Sequence, residues 1–250
     1  MNGFAKLEFY NWIDLLIEQP QFADKCDKWR KFNGEDWSFL LRKQPQFADK
    51  CDWSKLDRYT WSSLLCKQPQ FAGKCNKWRK FDSVDWSRLL CEQPQFADKC
   101  DEWDKFDAKD WSRLLHKQPQ FADKCNKWRK FDNKTWNGLL QEQPQFADKC
   151  NKWRKFKTED WIYLLIEQPQ FADKCDKWDY FDGYDWKMLL NAQPQFVNKC
   201  TDSSVVVNVL IKHPQFIEHC NTSFITEKGK AKLLAKHPDL AKYFNDKSGK

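Results

Sequence analysis

Proline spacing constrains this chain more than any other feature. All ten prolines of the 250 residues fall at matched points: Pro20, Pro45, Pro69, Pro94, Pro119, Pro144, Pro169, Pro194, Pro214 and Pro238. The steps are 25, 24, then 25 five times, then 20 and 24. Proline lacks an N–H and clashes with the preceding turn, so it ends one helix and suits the first position of the next. A chain punctuated this way holds no long helix and no central strand. It must be assembled from short identical units that bury their apolar faces against one another.

The unit reads Trp-x-x-Leu-Leu-x-x-Gln-Pro-Gln-Phe-Ala-Asp-Lys-Cys, opened in turn by Trp12, Trp37, Trp61, Trp86, Trp111, Trp136, Trp161 and Trp186. Departures are few: Gly73 for Asp, and Val197 and Asn198 for Ala and Asp. A second tryptophan follows the cysteine in seven modules, as at Trp29 and Trp78, and the second module is one residue short at Cys51-Asp52-Trp53. At 100° per residue Trp37, Leu40 and Leu41 share one helical face. Asn33 or Asp82 can cap the backbone N–H groups, and Asp36 sits favourably in the first turn. After the proline, Phe22, Ala23, Cys26 and Trp29 align on one face, which Phe32 extends. Each module is therefore expected to hold two short helices joined by the Gln-Pro-Gln corner. The second is expected to be partly 3₁₀, because the one-residue deletion is tolerated.

The expected fold class is all-α: an α-solenoid of about ten 24–25-residue two-helix modules. A half-module cap is expected at 1–11, where Phe4 and Leu7 precede Trp12 as Trp29 and Phe32 precede Trp37. The array proper is expected at 12–200, with degenerate repeats and a C-terminal cap at 201–250. The alternative is a leucine-rich-repeat-like α/β solenoid with Lys-Cys-Asp-x-Trp as a short strand. Cys51 and Trp53 have the alternation a strand needs, whereas Cys26 and Trp29 do not. The punctuation Leu-Leu-x-x-x-Pro-x-x-Ala, at Leu15–Ala23 and loosely at Leu233–Ala241, resembles the leucine-rich variant repeats. That resemblance implies an α-helix and a 3₁₀ helix per module, wound into a right-handed superhelix. The paired tryptophans and the cysteine depart from that family. The Gln-Pro-Gln-Phe-Ala-Asp-Lys-Cys string is also similar to tandem repeats in proteins of host-associated bacteria. Neither resemblance implies a catalytic residue.

Several functions are excluded as expectations. Aromatic residues make up 16% of the chain and charged residues 32%, enough aromatic bulk for a core, so a disordered tail is ruled out. No apolar stretch approaches the ~18 residues of a membrane span, and the first residues lack the features of a signal peptide. Seven glycines leave no phosphate-cradling loop. No Ser/His/Asp or Cys/His constellation recurs, so no enzyme and no cofactor is expected. The net charge of +7 is mild.

Nine of the eleven cysteines occupy the repeat position. Equivalent points on packed helices lie about 8–10 Å apart, beyond the ~7 Å that a disulfide allows. These thiols are expected to be small buried hydrophobes in a reducing, cytoplasmic setting. No Cys-x-x-Cys pair exists, and His213, His219 and Cys220 alone do not make a metal site. Cys66 and Cys91 fall outside the repeat position and are expected to be exposed. The paired glutamines at each corner, such as Gln44 and Gln46, are expected to satisfy orphan backbone groups.

The modules align with one another, so variation among them is visible. Counting from the leading Trp, position +2 reads Asp14, Phe39, Ser63, Arg88, Arg113, Gly138, Tyr163, Met188. Position +5 reads Ile17, Arg42, Cys66, Cys91, His116, Gln141, Ile166, Asn191. Both face away from Trp and the two Leu on a helix. Drift at wet positions usually stays polar, yet large apolar side chains recur here. Asp14, Ile17, Phe39, Arg42, Arg88, Arg113, His116, Gln141, Tyr163, Ile166 and Met188 are therefore the expected partner-binding residues. The expected function is a non-catalytic, monomeric scaffold for an unknown protein or peptide, without membrane contact. The alternative is nucleic-acid binding through a basic stripe of Lys-Trp-Arg-Lys runs, as at 28–31 and 152–155.

Overall fold

The computed structural model describes residues 9–245. The expected cap residues Phe4 and Leu7 lie outside that range. The chain forms two compact units that divide between Lys130 and Phe131. The first contains α1 (Phe9–Glu18), α2 (Gly34–Lys43), α3 (Arg58–Lys67), α4 (Ser83–Glu92) and α5 (Ala108–Lys117). The second contains α6 (Asn133–Glu142), α7 (Thr158–Glu167), α8 (Gly183–Ala192), α9 (Ser203–Lys212), α10 (Glu227–Leu234) and α11 (Lys242–Asn245). Within each unit neighbouring α-helices stack, so each unit is a stretch of α-solenoid.

The remainder of each module is not one continuous second helix. A 3₁₀ turn begins at the proline, for example Pro45–Lys50, and a second comes at the tryptophan, Trp53–Lys55. The break falls at the cysteine: Cys26 is extended at φ −77°, ψ 118°. Three residues per turn are rarely sustained for long, because eclipsed side chains and poor hydrogen-bond geometry limit 3₁₀ runs. The module is thus an α-helix plus two 3₁₀ pieces. The leucine-rich α/β alternative is overturned, since no strand occurs among the described residues. One extended cysteine between two 3₁₀ turns cannot support a ladder.

Helices α2 to α6, α8 and α9 start where an Asp or Asn accepts their first N–H groups, and at α10 the Thr226 hydroxyl does so. Asn33 accepts from the Asp36 amide at 3.0 Å while Asp36 accepts from the Asn33 amide at 2.8 Å. Asp57 accepts from Thr60 N–H at 2.8 Å and Asp82 from Asp85 N–H at 2.9 Å. These bonds stabilise the ionised carboxylate. The Thr60 amide holds Asp57 below its ordinary value, and the Thr135 amide does the same to Asp132. At α7 Lys157 stands at the N-cap without a side-chain acceptor.

The core is an aromatic ladder. The leading tryptophans from Trp12 to Trp161 are fully buried, each beside its two leucines. Within each unit the second tryptophans are half-buried and lie parallel to the next leading one: Trp29 on Trp37 at 5.6 Å and Trp78 on Trp86 at 5.7 Å in the first, Trp153 on Trp161 at 5.7 Å in the second. The indole N–H groups of Trp37, Trp61, Trp86, Trp111 and Trp161 find no acceptor inside. That costs about 1–3 kcal/mol each. Burying an indole of roughly 200 Å² returns about 5 kcal/mol, so packing wins.

The glutamine corners act as expected. Gln44 Nε2 donates to the Ile17 carbonyl at 2.6 Å, Gln68 to that of Arg42 at 2.9 Å, Gln93 to that of Cys66 at 2.9 Å and Gln193 to that of Ile166 at 2.6 Å. Each satisfies an orphan carbonyl at the end of the preceding helix. The second glutamine holds the first in place, as Gln95 Nε2 does on Gln93 Oε1 at 2.8 Å. In the degenerate end His237 Nε2 takes over, 2.9 Å from the Ile211 carbonyl.

Candidate functional site: the variable helix face

Position +2 points outward as expected. Asp14, Arg88 and Arg113 are exposed, Phe39 is 42% exposed and Tyr163 55%, while Met188 is half-buried. Position +5 shares that exposure only at Asn191. Ile17, Arg42, His116, Gln141 and Ile166 are half-buried. Cys66 and Cys91 are buried, contrary to expectation. The reason is the direction of stacking: +5 leans toward the next α-helix. Cys66 Sγ contacts the Arg88 carbonyl at 3.9 Å and Cys91 Sγ the Arg113 carbonyl at 3.4 Å. Burial pushes both thiols up to about 11. The repeat cysteines Cys26, Cys100, Cys125, Cys150, Cys175 and Cys200 are buried, and Cys51, Cys75 and Cys220 half-buried.

Other +5 side chains fold back onto their own helix. Arg42 Nε donates to the Ser38 carbonyl at 3.2 Å, and His116 Nδ1 lies 2.6 Å from the Ser112 carbonyl. Gln141 donates to the Asn137 side chain.

Position −2 carries side chains that the periodicity alone did not select. Tyr59 is 54% exposed, Val84 43% and Tyr184 70%. In the first unit arginines at +5 and +2 lie against the rings at +2 and −2. The Arg42 guanidinium lies 5.6 Å from the Phe39 ring and that of Arg88 lies 5.8 Å from the Tyr59 ring. A shallow hollow of about 370 Å³ between α2 and α3 is lined by Phe39, Arg42 and Tyr59 among others. Arg58 is engaged by Asp82 and Asp85. Tyr59, Val84 and Tyr184 are each the second residue of their α-helix, in α3, α4 and α8.

Position +1 was also missed, and it joins the modules. Ser38 Oγ donates to the Thr60 carbonyl at 3.0 Å and Ser87 Oγ to Asp110 Oδ1 at 3.0 Å, both in buried surroundings. Asn137 Nδ2 donates to the Asp160 carbonyl at 2.5 Å.

On the 3₁₀ side, Arg30, Lys31, Arg79, Lys80, Arg154 and Lys155 are exposed. The tryptophans between these pairs are occupied on both faces where a lysine covers them. Trp78 has Trp86 on one side and the Lys99 ammonium 5.4 Å from its ring; Trp103 has Trp111 and Lys124 at 5.2 Å. Among the described residues no three His, Cys, Asp or Glu side chains gather to hold a metal. No described helix is long and apolar enough to cross a membrane.

The family described as Mycoplasma protein of unknown function, DUF285, matches residues 59–178 and 84–203, overlapping ranges offset by one 25-residue period. No curated protein and no solved structure matches the chain. The two ranges together cover more than half of the chain and run from α3 to the edge of α9, so the protein belongs to the DUF285 family.

Proposed function

We propose that the protein is a non-catalytic, cytoplasmic repeat scaffold that binds a protein or peptide along the outward α-helical face of its modules. The observation that carries this reading is the set of large side chains left in water on rigid helices, Phe39, Tyr59 and Tyr163 foremost. Such residues cost solubility and contribute nothing to the core. Aromatic and arginine side chains are the types that most often dominate interface energies, and Phe39, Arg42, Tyr59 and Arg88 supply both kinds in one patch. The α-plus-3₁₀ module fits the resemblance to leucine-rich variant repeats. The basic-stripe alternative has less support, because Trp78 and Trp103 would have to shed their lysines before a base could stack.

The test compares proteins captured by wild type, by Phe39→Ala/Arg42→Ala, by Tyr163→Ala/Ile166→Ala, and by Lys152→Ala/Arg154→Ala/Lys155→Ala. The reading predicts that a specific partner is lost with either of the first two variants and retained by the third. Retention on heparin and single-stranded DNA that disappears only in the third would replace it with nucleic-acid binding.

A further inference from the structure

The step from Pro194 to Pro214 is 20 residues instead of 25. The missing piece is the second tryptophan and its 3₁₀ turn, so Cys200 runs through Thr201 and Asp202 directly into α9. The helix itself is altered too. Val206 stands where the preceding helices carry their leading tryptophan, and Val205 where most carry Asp. On α8, position +1 is the exposed Lys187 rather than a buried Ser or Asn. The +1 side-chain bond that joins α2 to α3 and α4 to α5 therefore has no counterpart among the described residues between α8 and α9.

Withdrawing an indole and a lock leaves this seam underfilled. A cleft of about 640 Å³ opens there, within the size range of ligand sites. Its floor is aliphatic: Leu190, Val205, Val209 and Ile211. Its rim carries Lys187, Lys212, Lys232 and Lys236. A second hollow of about 460 Å³ shares Lys232 and Asn208 with it and adds Lys228. Lys232 Nζ donates to Asn208 Oδ1 at 2.8 Å. The one carboxylate in either lining is Asp202, and it is already engaged, capping α9 through the amides of Ser204 and Val205 at 2.8 and 3.1 Å.

We propose that this cleft binds an extended acidic peptide segment in which carboxylates alternate with aliphatic side chains. Three features select that ligand. A ten-residue helix such as α9 is about 15 Å long, the span of roughly four or five extended residues. The lysines are spread along the seam, from Lys228 near the start of α10 to Lys212 at the end of α9, so one anionic head could answer only part of them. The floor offers methyl groups, which suits Leu or Val side chains, and the one ring in the lining is the half-buried His213 imidazole, against the several aromatic faces that a run of nucleobases stacks on. The lysine stems extend the apolar wall while their ammonium groups stay wet. This site is separate from the +2 column and does not depend on it.

The experiment uses the full-length chain on an array of synthetic hexapeptides in which Glu, or Gln as its neutral counterpart, alternates with Leu, Val or Ser. Retention should require at least two Glu and an aliphatic partner, and should weaken with added salt. Lys187→Ala/Lys212→Ala should lower affinity about tenfold, a loss of two modest ion pairs. Both lysines are exposed, so its melting temperature should match wild type. Arg30→Ala/Lys31→Ala, which removes the same charge elsewhere, and Phe39→Ala/Arg42→Ala, which disables the face proposed above, should bind like wild type. The proposal is overturned if no Glu peptide is held above its Gln counterpart, or if Lys187→Ala/Lys212→Ala binds undiminished. It is equally overturned if a single-stranded oligonucleotide of equal charge is held as tightly as the peptides.

Discussion

The hydroxyl of Ser62 on α3 donates to Asp85 Oδ1 on α4 at 3.0 Å, with Ser62 fully buried and Asp85 3% exposed. One module thus reaches into the capping machinery of the next, because the other oxygen of Asp85 accepts from the Asp82 amide at 3.3 Å and from Arg58. Ser62→Ala removes the donor and leaves a buried carboxylate oxygen unpaired. The expected loss is about 1–3 kcal/mol, read as a lower urea midpoint at unchanged slope. An unaltered midpoint would show that this bond does not join the modules.

Much of this architecture was legible in the sequence. The prolines fixed the module length, and Trp37, Leu40 and Leu41 gave the buried face. Position +1 escaped because Ser38, Ser62 and Ser87 look like ordinary wet serines; only the tilt of stacking shows them pointing at the next helix. The same tilt buries Cys66 and Cys91. A wheel drawn for one helix has an inside and an outside, whereas a helix in a stack also has a forward side. Gly34 was another hidden requirement. A Cβ there would run into the carbonyl of Lys55 in the following module, so the residue answers a close backbone approach rather than loop freedom. The cleft beside α9 was signalled by the short 20-residue step, but whether a deletion closes a seam or opens one depends on packing.

At the start of α7 the array lacks its usual cap. Lys157 occupies the position that Asp132 and Asp182 fill in the neighbouring modules, although its amide still donates to Asp160 at 2.9 Å. Lys157→Asp should supply the missing acceptor and stabilise the protein by about 1 kcal/mol. Thermal denaturation should show a higher midpoint, and the gain should shrink below pH 4 as the new carboxylate protonates. A neutral or negative effect at pH 7 would contradict the capping account.

Alkaline pH should weaken the fold through its thiols. Burial pushes Cys100, Cys125, Cys150 and Cys175 up to about 11, from an ordinary 9.0. A raised value means that the folded chain keeps protons which the unfolded chain releases. The contribution is therefore complete below pH 9 and is lost as the pH climbs toward 11. Urea midpoints measured from pH 8 to 10.5 should fall, and Cys100→Ala/Cys125→Ala should flatten the decline. An equally steep decline in that variant would assign the effect to other groups.

Modules that touch only their neighbours can be removed whole. Deleting 86–110, one full period from Trp86 to Asp110, should leave a shorter folded array with the same helical signal per residue and a cooperative melt. Deleting only 86–97 cuts within a module, mismatches the corner, and should abolish that melt. Equal unfolding by both deletions would contradict nearest-neighbour stacking.

The central claim is that the outward α-helical face does the binding. Its most direct measurement is site-resolved photo-crosslinking in the native cell, with benzoylphenylalanine placed singly at Phe39, Arg88 and Tyr163 and, for comparison, at Arg30, Arg79 and Arg154. All six positions are exposed, so each variant should fold. The account predicts a discrete protein adduct shared by the first three sites and absent from the other three. Adducts confined to Arg30, Arg79 and Arg154, with none at Phe39, Arg88 or Tyr163, would contradict it.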